Sequence, residues 1–152
     1  MVDSSAIGMT LTPVHARVEP SRLRFFLDAL GERNPVYRDS VAARAAGFSG
    51  RPIPPTYLVC LEMMDGEKPF EMLEALKIDI SRILHGEQKF IYRAPVHVGD
   101  ELTFETSVTG VQHKKGGALT MIDVTSKVTN QHREPVADCV RVVVVRNEAQ
   151  AP

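Results

Sequence analysis

The amino-acid sequence predicts an α+β fold in which short helices come first and long antiparallel strands follow. In the first half of the chain, apolar residues recur at helical spacing between prolines and glycines. The second half holds four runs rich in Val, Thr, Ile, Phe and Tyr. One apolar segment between the halves predicts a buried helix, so the strands are expected to form a strongly curved sheet around it.

Composition limits the class of protein. The chain has 152 residues, 43% of them hydrophobic, with a formal net charge of −1, which predicts one globular domain over residues 1–152 with a loose N-terminal arm over residues 1–12. We expect no nucleic-acid partner and no membrane partner, because bulk positive charge and a long apolar span are both absent. The N-terminus lacks the pattern of a secretory signal, and two cysteines make no disulfide framework. We therefore expect a cytoplasmic protein.

The first elements are a short strand over His15–Val18 and a helix that begins at Pro20. Proline suits the first turn of a helix, and Gly31 is expected to end this one. Apolar residues between these limits follow i, i+3, i+4 and i+7 spacing: Leu23, Phe26, Leu27 and Leu30. A further short helical piece is expected over Ser40–Ala46.

A proline-rich segment then leads into the buried helix. Pro54-Pro55-Thr56 is expected to form its rigid entrance, so the helix begins near Thr56. Its apolar residues occupy much of the circumference, which predicts burial: Leu58, Val59, Leu61, Met63 and Met64. Phe70–Lys77 is expected to add one or two helical turns.

Four strands follow, over Ile83–Arg93, Glu101–Val111, Leu119–Thr129 and Val136–Arg146. Apolar and polar residues alternate in the second and third, as in half-buried strands. Because the four strands follow one another directly, the sequence predicts an antiparallel meander. The all-apolar run Val142–Val145 and the open sheet edges favour a homo- or hetero-oligomer.

Three segments in this order resemble the MaoC-like (R)-specific enoyl thioester hydratases and dehydratases, which have the hot-dog fold. They are Asn34-Pro35-Val36-Tyr37 followed by Asp39, then Pro54-Pro55-Thr56-Tyr57, and last Leu84-His85-Gly86-Glu87-Gln88 followed by Tyr92, Pro95, Gly99 and Asp100. The likeness spans residues 15–146 and is strongest to the N-terminal, FAS1-like dehydratase branch, which includes non-catalytic subunits. The resemblance implies a curved sheet wrapped around the central helix. It also implies an acyl-CoA or acyl-carrier-protein (ACP) thioester as substrate, without a metal or redox cofactor.

Active members of that family carry an Asp and a His in the pattern D-x-N-P-x-H, and the pair holds the water that adds to the enoyl double bond. This chain places Glu32 at the Asp position and Tyr37 at the His position. Tyrosine has an unperturbed pKa near 10, so it does not replace imidazole as a base at neutral pH. The resemblance therefore implies a degenerate catalytic pair, Glu32 and Tyr37, with acid–base groups supplied by a partner chain.

The resemblance also implies substrate-binding roles near the helix entrance. Asn34, Pro55, Thr56 and Tyr57 would hold the thioester, with the Thr56 and Tyr57 amides facing the carbonyl oxygen. In the third segment, His85 is a further catalytic candidate that the neighbouring Glu87 would orient, and Gly86 is a further binding candidate.

Arg51 and Arg93 are candidates to meet a phosphate of CoA or of a carrier protein, although single arginines commonly face solvent. No His/Cys cluster has the spacing of metal ligands.

Three functions remain open on the sequence. The first is a subunit of an (R)-specific enoyl-CoA or enoyl-ACP hydratase, paired with itself or with a second hot-dog subunit. The second is a homodimer that only binds acyl thioesters or a partner protein and does no chemistry. The third is a hot-dog thioesterase that uses Glu62 of the central helix to activate water.

Overall fold

A computed structural model describes residues 2–147 and contains four α-helices and five strands. The helices are α1 (Pro20–Leu30), α2 (Ser40–Ala45), α3 (Tyr57–Asp65) and α4 (Glu71–Ala75). The strands are β1 (Val14–Arg17), β2 (Ile83–Tyr92), β3 (Glu101–Lys114), β4 (Leu119–Thr129) and β5 (Pro135–Arg146). Short 3-10 turns cover Ser4–Ala6, Pro35–Tyr37, Ile80–Arg82 and Lys115–Gly117. The α+β prediction is confirmed.

The five strands form one antiparallel sheet in the order β1-β3-β4-β5-β2. The predicted meander is therefore correct for β3, β4 and β5 but wrong for β2, which pairs with β5 at the far edge. The segment between β2 and β3 crosses the end of the sheet instead of turning back. There it binds the proline-rich segment, because Ile53 N–H donates to Val96 C=O and Val98 N–H donates to Arg51 C=O, each at 2.9 Å.

The main core lies between α3 and the face of the sheet that meets it, called here the inner face. Leu58 and Leu61 of α3 are fully buried there with Phe104 of β3. The predicted burial of α3 is confirmed for the residues that face the sheet, but it does not extend to the C-terminal end of the helix. Met63 and Met64, at the C-terminal end, are 68% and 62% exposed.

Residues near the N-terminus extend the sheet. Gly8 N–H donates to Val108 C=O and Leu11 N–H donates to Thr106 C=O, both at 2.9 Å, and Ala6 is buried in a second apolar cluster. The expectation of a loose N-terminal arm is thus wrong for the described part of residues 1–12. Backbone groups of this segment pair with the edge of β3 beyond the end of β1. The single-domain boundary at residues 1–152 stays a prediction, since residue 1 and residues 148–152 lie outside the described part.

The run Val142–Val145 is apolar on both faces for a reason visible within one chain. Val143 and Val145 pack into the second apolar cluster, while Val144 on the opposite face is 9% exposed. A Cβ on Gly86 would lie 2.8 Å from Val144 Cγ2, so Val144 packs on the glycine backbone. No helix in residues 2–147 is long and apolar enough to cross a lipid bilayer.

Candidate functional site

The candidate site is a cleft of about 680 Å³ between the loop after α1, the proline-rich segment and the end of β2. Most of its lining is apolar, with two phenol rings, Tyr37 and Tyr92, among it. Of the residues expected at the site, Asn34, Tyr37 and Pro55 line this cleft together. The structure thus joins the first two of the three segments on which the resemblance rests.

The loop after α1 has a defined shape because its side chains satisfy its own backbone. Gly31 ends α1 in the left-handed region, at φ 69°, which glycine adopts without steric cost. The Glu32 carboxylate accepts from Asn34 N–H at 2.7 Å, and Asn34 Oδ1 accepts from Val36 N–H at 3.1 Å. Glu32 therefore serves as a local cap, and it is not part of the cleft lining.

Arg38 completes this loop, and no motif in the sequence pointed to it. Its Nε and Nη2 donate to the Glu32 carbonyl at 3.0 and 2.7 Å, and Nη2 also lies 2.8 Å from Asp28 Oδ1. Glu32, at the family's Asp position, thus accepts hydrogen bonds from an arginine through its backbone carbonyl. Only the folded loop brings these groups together, so residue spacing does not reveal the contact.

The entrance to α3 forms another wall. The Tyr92 hydroxyl donates to Pro55 C=O at 2.8 Å, and burial raises the pKa of Tyr92, which keeps that hydroxyl protonated. The Thr56 N–H makes no hydrogen bond within the described residues. Thr56 itself does not line the cleft, and Tyr57 N–H donates to Pro54 C=O at 3.0 Å.

The Tyr57 side chain points away from the cleft. It is 1% exposed, and its ring centroid lies 4.8 Å from that of Phe26 in the core. Its hydroxyl has no partner in the described structure, and burial raises the pKa of Tyr57. The Tyr57 side chain therefore belongs to the core, and the binding role expected of the Tyr57 amide stays a prediction.

His85 and Gly86 lie elsewhere. Tyr92 in the cleft pairs with Ala137, whereas His85 pairs with Val143, six residues further along β5. At about 3.3 Å per residue this separation is roughly 20 Å. His85 is exposed, and its Nε2 lies 3.0 Å from the backbone carbonyl of Glu87 rather than from the Glu87 carboxylate.

Gly86 sits in a β-bulge of β2, where the register shifts between His85 and Glu87. Within one chain, neither His85 nor Gly86 belongs to the site that holds Tyr37.

The cleft lacks a base. Among the described residues that line it, none carries a carboxylate or an imidazole. Its one guanidinium, that of Arg93, forms an ion pair with Asp138. The arrangement can enclose an apolar chain and offer hydroxyl and amide donors, but it contains no group that would take a proton from water at neutral pH.

Glu62, the thioesterase candidate, is 7% exposed between α3 and the sheet. Its Oε1 accepts from Thr106 Oγ1 at 2.9 Å and Ser126 Oγ at 2.5 Å, and its Oε2 lies 2.7 Å from Arg141 Nη1. Both oxygens are thus occupied by protein donors, in the core and away from the cleft.

His97 flanks the cleft through Phe48, whose ring it meets edge-on at a centroid distance of 6.4 Å. Its Nε2 lies 3.4 Å from Ser49 Oγ, and its Nδ1 lies 3.9 Å from Asp100 Oδ2. That Asp100 oxygen accepts from His97 N–H at 2.8 Å. Asp100 therefore caps the turn before β3, and the order Ser-His-Asp here does not form a hydrogen-bonded triad.

Comparisons with known proteins identify the family of this chain. The family model described as "FAS1-like, dehydratase domain region" matches residues 5–139. A UPF0336 protein of Saccharopolyspora erythraea is 32% identical over 152 residues, which cover 99% of this chain and 96% of that protein. The chain belongs to the FAS1-like dehydratase domain family.

Solved structures give the same fold. The HadBC (3R-hydroxyacyl-ACP dehydratase) complex of Mycobacterium tuberculosis matches with a TM-score of 0.78 and 19% identity, over 94% of this chain and 99% of that one. The ChsH1-ChsH2 complex of the same organism matches with a TM-score of 0.74 and 24% identity, over 94% and 87%. The predicted hot-dog fold is confirmed.

Proposed function

We propose that this chain is a subunit of an (R)-specific enoyl thioester hydratase, equivalently a 3-hydroxyacyl thioester dehydratase. In this role it shapes the cleft for the thioester, and a partner chain supplies the acid and the base. The observation that carries the proposal is the cleft itself: it is built from the segments that the family uses for its site, yet its lining offers no carboxylate or imidazole.

The partner is proposed to be a second hot-dog subunit that contacts the β2 edge of the sheet. Within the described residues β2 pairs only with β5, so its outer edge presents free backbone groups. Met63 and Met64 on α3 are exposed apolar residues of the kind that a subunit contact would bury. The HadBC and ChsH1-ChsH2 names describe complexes of two different chains, which favours a heteromer here as well.

The substrate is proposed to be an acyl thioester carried by CoA or ACP, with its apolar part in the cleft. Thr56 follows Pro55 of the cleft lining, and its N–H has no acceptor within the described residues, so we propose it as a donor to the carbonyl oxygen. Adding or removing water changes no oxidation state overall, so we propose that the reaction uses no redox cofactor and, as the family resemblance implies, no metal.

The test follows loss of the enoyl absorbance with trans-2-enoyl-CoAs of short and long chain. We expect the purified chain alone to bind these thioesters without turnover. Co-expression with a hot-dog chain from the same genome that retains the D-x-N-P-x-H pattern should restore turnover. Replacement of that Asp and His in the co-expressed chain is the matched control and should abolish it. Turnover by this chain alone would contradict the proposal.

The same assay distinguishes the binding-only homodimer from the proposed subunit. The homodimer predicts thioester binding without turnover, both for the chain alone and for the co-expressed pair. The thioesterase alternative has little support, since the Glu62 carboxylate already accepts three hydrogen bonds in the core. Release of free thiol from acyl-CoA, abolished by Glu62→Gln, would be the result in its favour.

A further inference from the structure

We propose that a cleft lined by Arg24, Arg38 and Arg51 binds a phosphate ester, the group that the phosphopantetheine arm of CoA and of carrier proteins share. The cleft measures about 270 Å³ and lies between α1 and the loop that follows it. Tyr37 lines both this cleft, called here the arginine cleft, and the apolar cleft described above. The identity of the ligand rests on the proposed function. The presence of an anion site does not.

The charges in the arginine cleft are unbalanced. Asp28 pairs with Arg38 at 2.8 Å. Asp39 lies within electrostatic reach of Arg44 and then of Arg51, but its carboxylate caps α2 by accepting from the Val41 and Ala42 amides. These amides lower the pKa of Asp39. The described lining of the cleft therefore holds three guanidinium groups and no carboxylate, and the two nearby carboxylates are already engaged with protein donors.

The guanidinium groups also have free donors. Arg24 has no side-chain partner within the described residues, and Arg51 uses only Nη1, which is 3.4 Å from the Arg38 carbonyl. Arg38 is held by Nε and Nη2, which leaves Nη1 free. Guanidinium groups match the geometry of phosphate oxygens, and such charge-assisted hydrogen bonds are among the strong ones.

The fold explains why Arg38 faces this cleft. The Glu32 carbonyl, at the position where active relatives place their catalytic Asp, accepts two hydrogen bonds from Arg38 and fixes its direction. The loop that holds the acid–base pair in active relatives thus orients a cation in this chain. The first turn of α1 also borders the cleft, and its amide ends add partial positive charge without carrying the inference.

The two clefts together suit an amphiphilic ligand, with an apolar part on one side of Tyr37 and an anionic group on the other. The chain as a whole has a net charge of −1, so general attraction of anions would not produce such binding. Arg93 takes no part, because it is paired with Asp138 on the apolar side.

The experiment compares binding of 4′-phosphopantetheine and pantetheine to the purified full chain by isothermal titration calorimetry. The two probes differ by one phosphate. We expect the phosphorylated probe to bind about tenfold or more tightly, and Arg24→Ala or Arg51→Ala to remove most of that difference. The matched control is Arg44→Ala, which removes an exposed arginine of α2 that does not line the cleft and should preserve the difference.

Equal binding of the two probes, no binding of either, or an equal loss in Arg44→Ala would overturn the inference. Adenosine 3′,5′-bisphosphate separates the sources: competition by this nucleotide assigns the site to the nucleotide end of CoA and overturns assignment to the pantetheine arm. Phosphate discrimination without turnover in the partner assay would sink the proposed function while the anion site stands. Turnover whose KM is unchanged by Arg24→Ala would overturn the anion site alone.

Discussion

Arg141 of β5 lies 2.7 Å from the Glu62 carboxylate of α3, so an ion pair joins the central helix to the sheet inside the core. The Glu62 side chain is 6% exposed and that of Arg141 is 21% exposed. Thr106 and Ser126 donate to the other carboxylate oxygen, and their hydroxyl oxygens lie 2.9 Å apart. The network fixes the position of α3 along the sheet, and with it the entrance to α3 at the cleft.

Removal of one partner of this pair should destabilise the protein. Arg141→Ala leaves the Glu62 carboxylate buried without its cation, for which we expect a loss of about 3 kcal/mol in the free energy of unfolding. Urea denaturation followed by circular dichroism measures the change. Arg17→Ala is the control, since Arg17 and Glu19 form an exposed pair at 3.5 Å and should lose less than about 1 kcal/mol. Similar losses in both variants would contradict the interpretation of the network.

Gly86→Ala tests whether this glycine is structural. The new Cβ would lie 2.8 Å from Val144 Cγ2 and 3.2 Å from the Val142 carbonyl, so we expect a destabilisation of about 1–3 kcal/mol. Gly86→Ala should destabilise the protein less when it is introduced into Val144→Ala than into the unmodified protein. The Val144→Ala change removes the nearer of the two contacts. Unchanged stability in Gly86→Ala together with lost thioester binding would instead support the substrate-binding role expected from the sequence.

The sequence predicted most of the local structure. The helix from Pro20 to its end at Gly31 and the strand over Leu119–Thr129 have the expected limits, because periodicity and a glycine stop are local signals. The position of β2 was not predictable in this way. Its partner depends on the crossing of residues 93–100 over the proline-rich segment, which involves contacts distant in sequence.

The candidate site was predicted in part for the same reason. Asn34, Tyr37 and Pro55 meet because two matching segments fold against each other. His85 was expected beside them, but strand pairing places it far along β5 from the cleft. Arg38 gave no signal, since its contact with the Glu32 carbonyl exists only once the loop has folded.

Tyr37 should act in binding rather than in proton transfer. In the complex with a catalytic partner chain, we expect Tyr37→Phe to leave kcat for enoyl thioester hydration within about twofold of the unmodified value, because the phenol hydroxyl is not the base. Tyr37→Ala removes the ring that borders both clefts and should raise KM about fivefold. Loss of turnover in Tyr37→Phe would show that the hydroxyl takes part in the chemistry.

Attachment of the N-terminal segment to α4 should depend on pH. The Glu71 carboxylate accepts from Thr12 N–H at 2.8 Å and Thr12 Oγ1 at 2.9 Å, and these hydrogen bonds hold the pKa of Glu71 below its usual value of 4.5. A depressed pKa in the folded state means that this contribution to stability is full above about pH 4.5 and is lost as the pH falls through the folded value. We expect the amide resonance of Thr12 in NMR spectra to titrate in that acidic range, and Glu71→Gln to abolish the titration. Glu74→Gln, an exposed neighbour on α4, is the control and should leave the transition in place. A Thr12 resonance that is insensitive to pH in the unmodified protein would contradict the attachment.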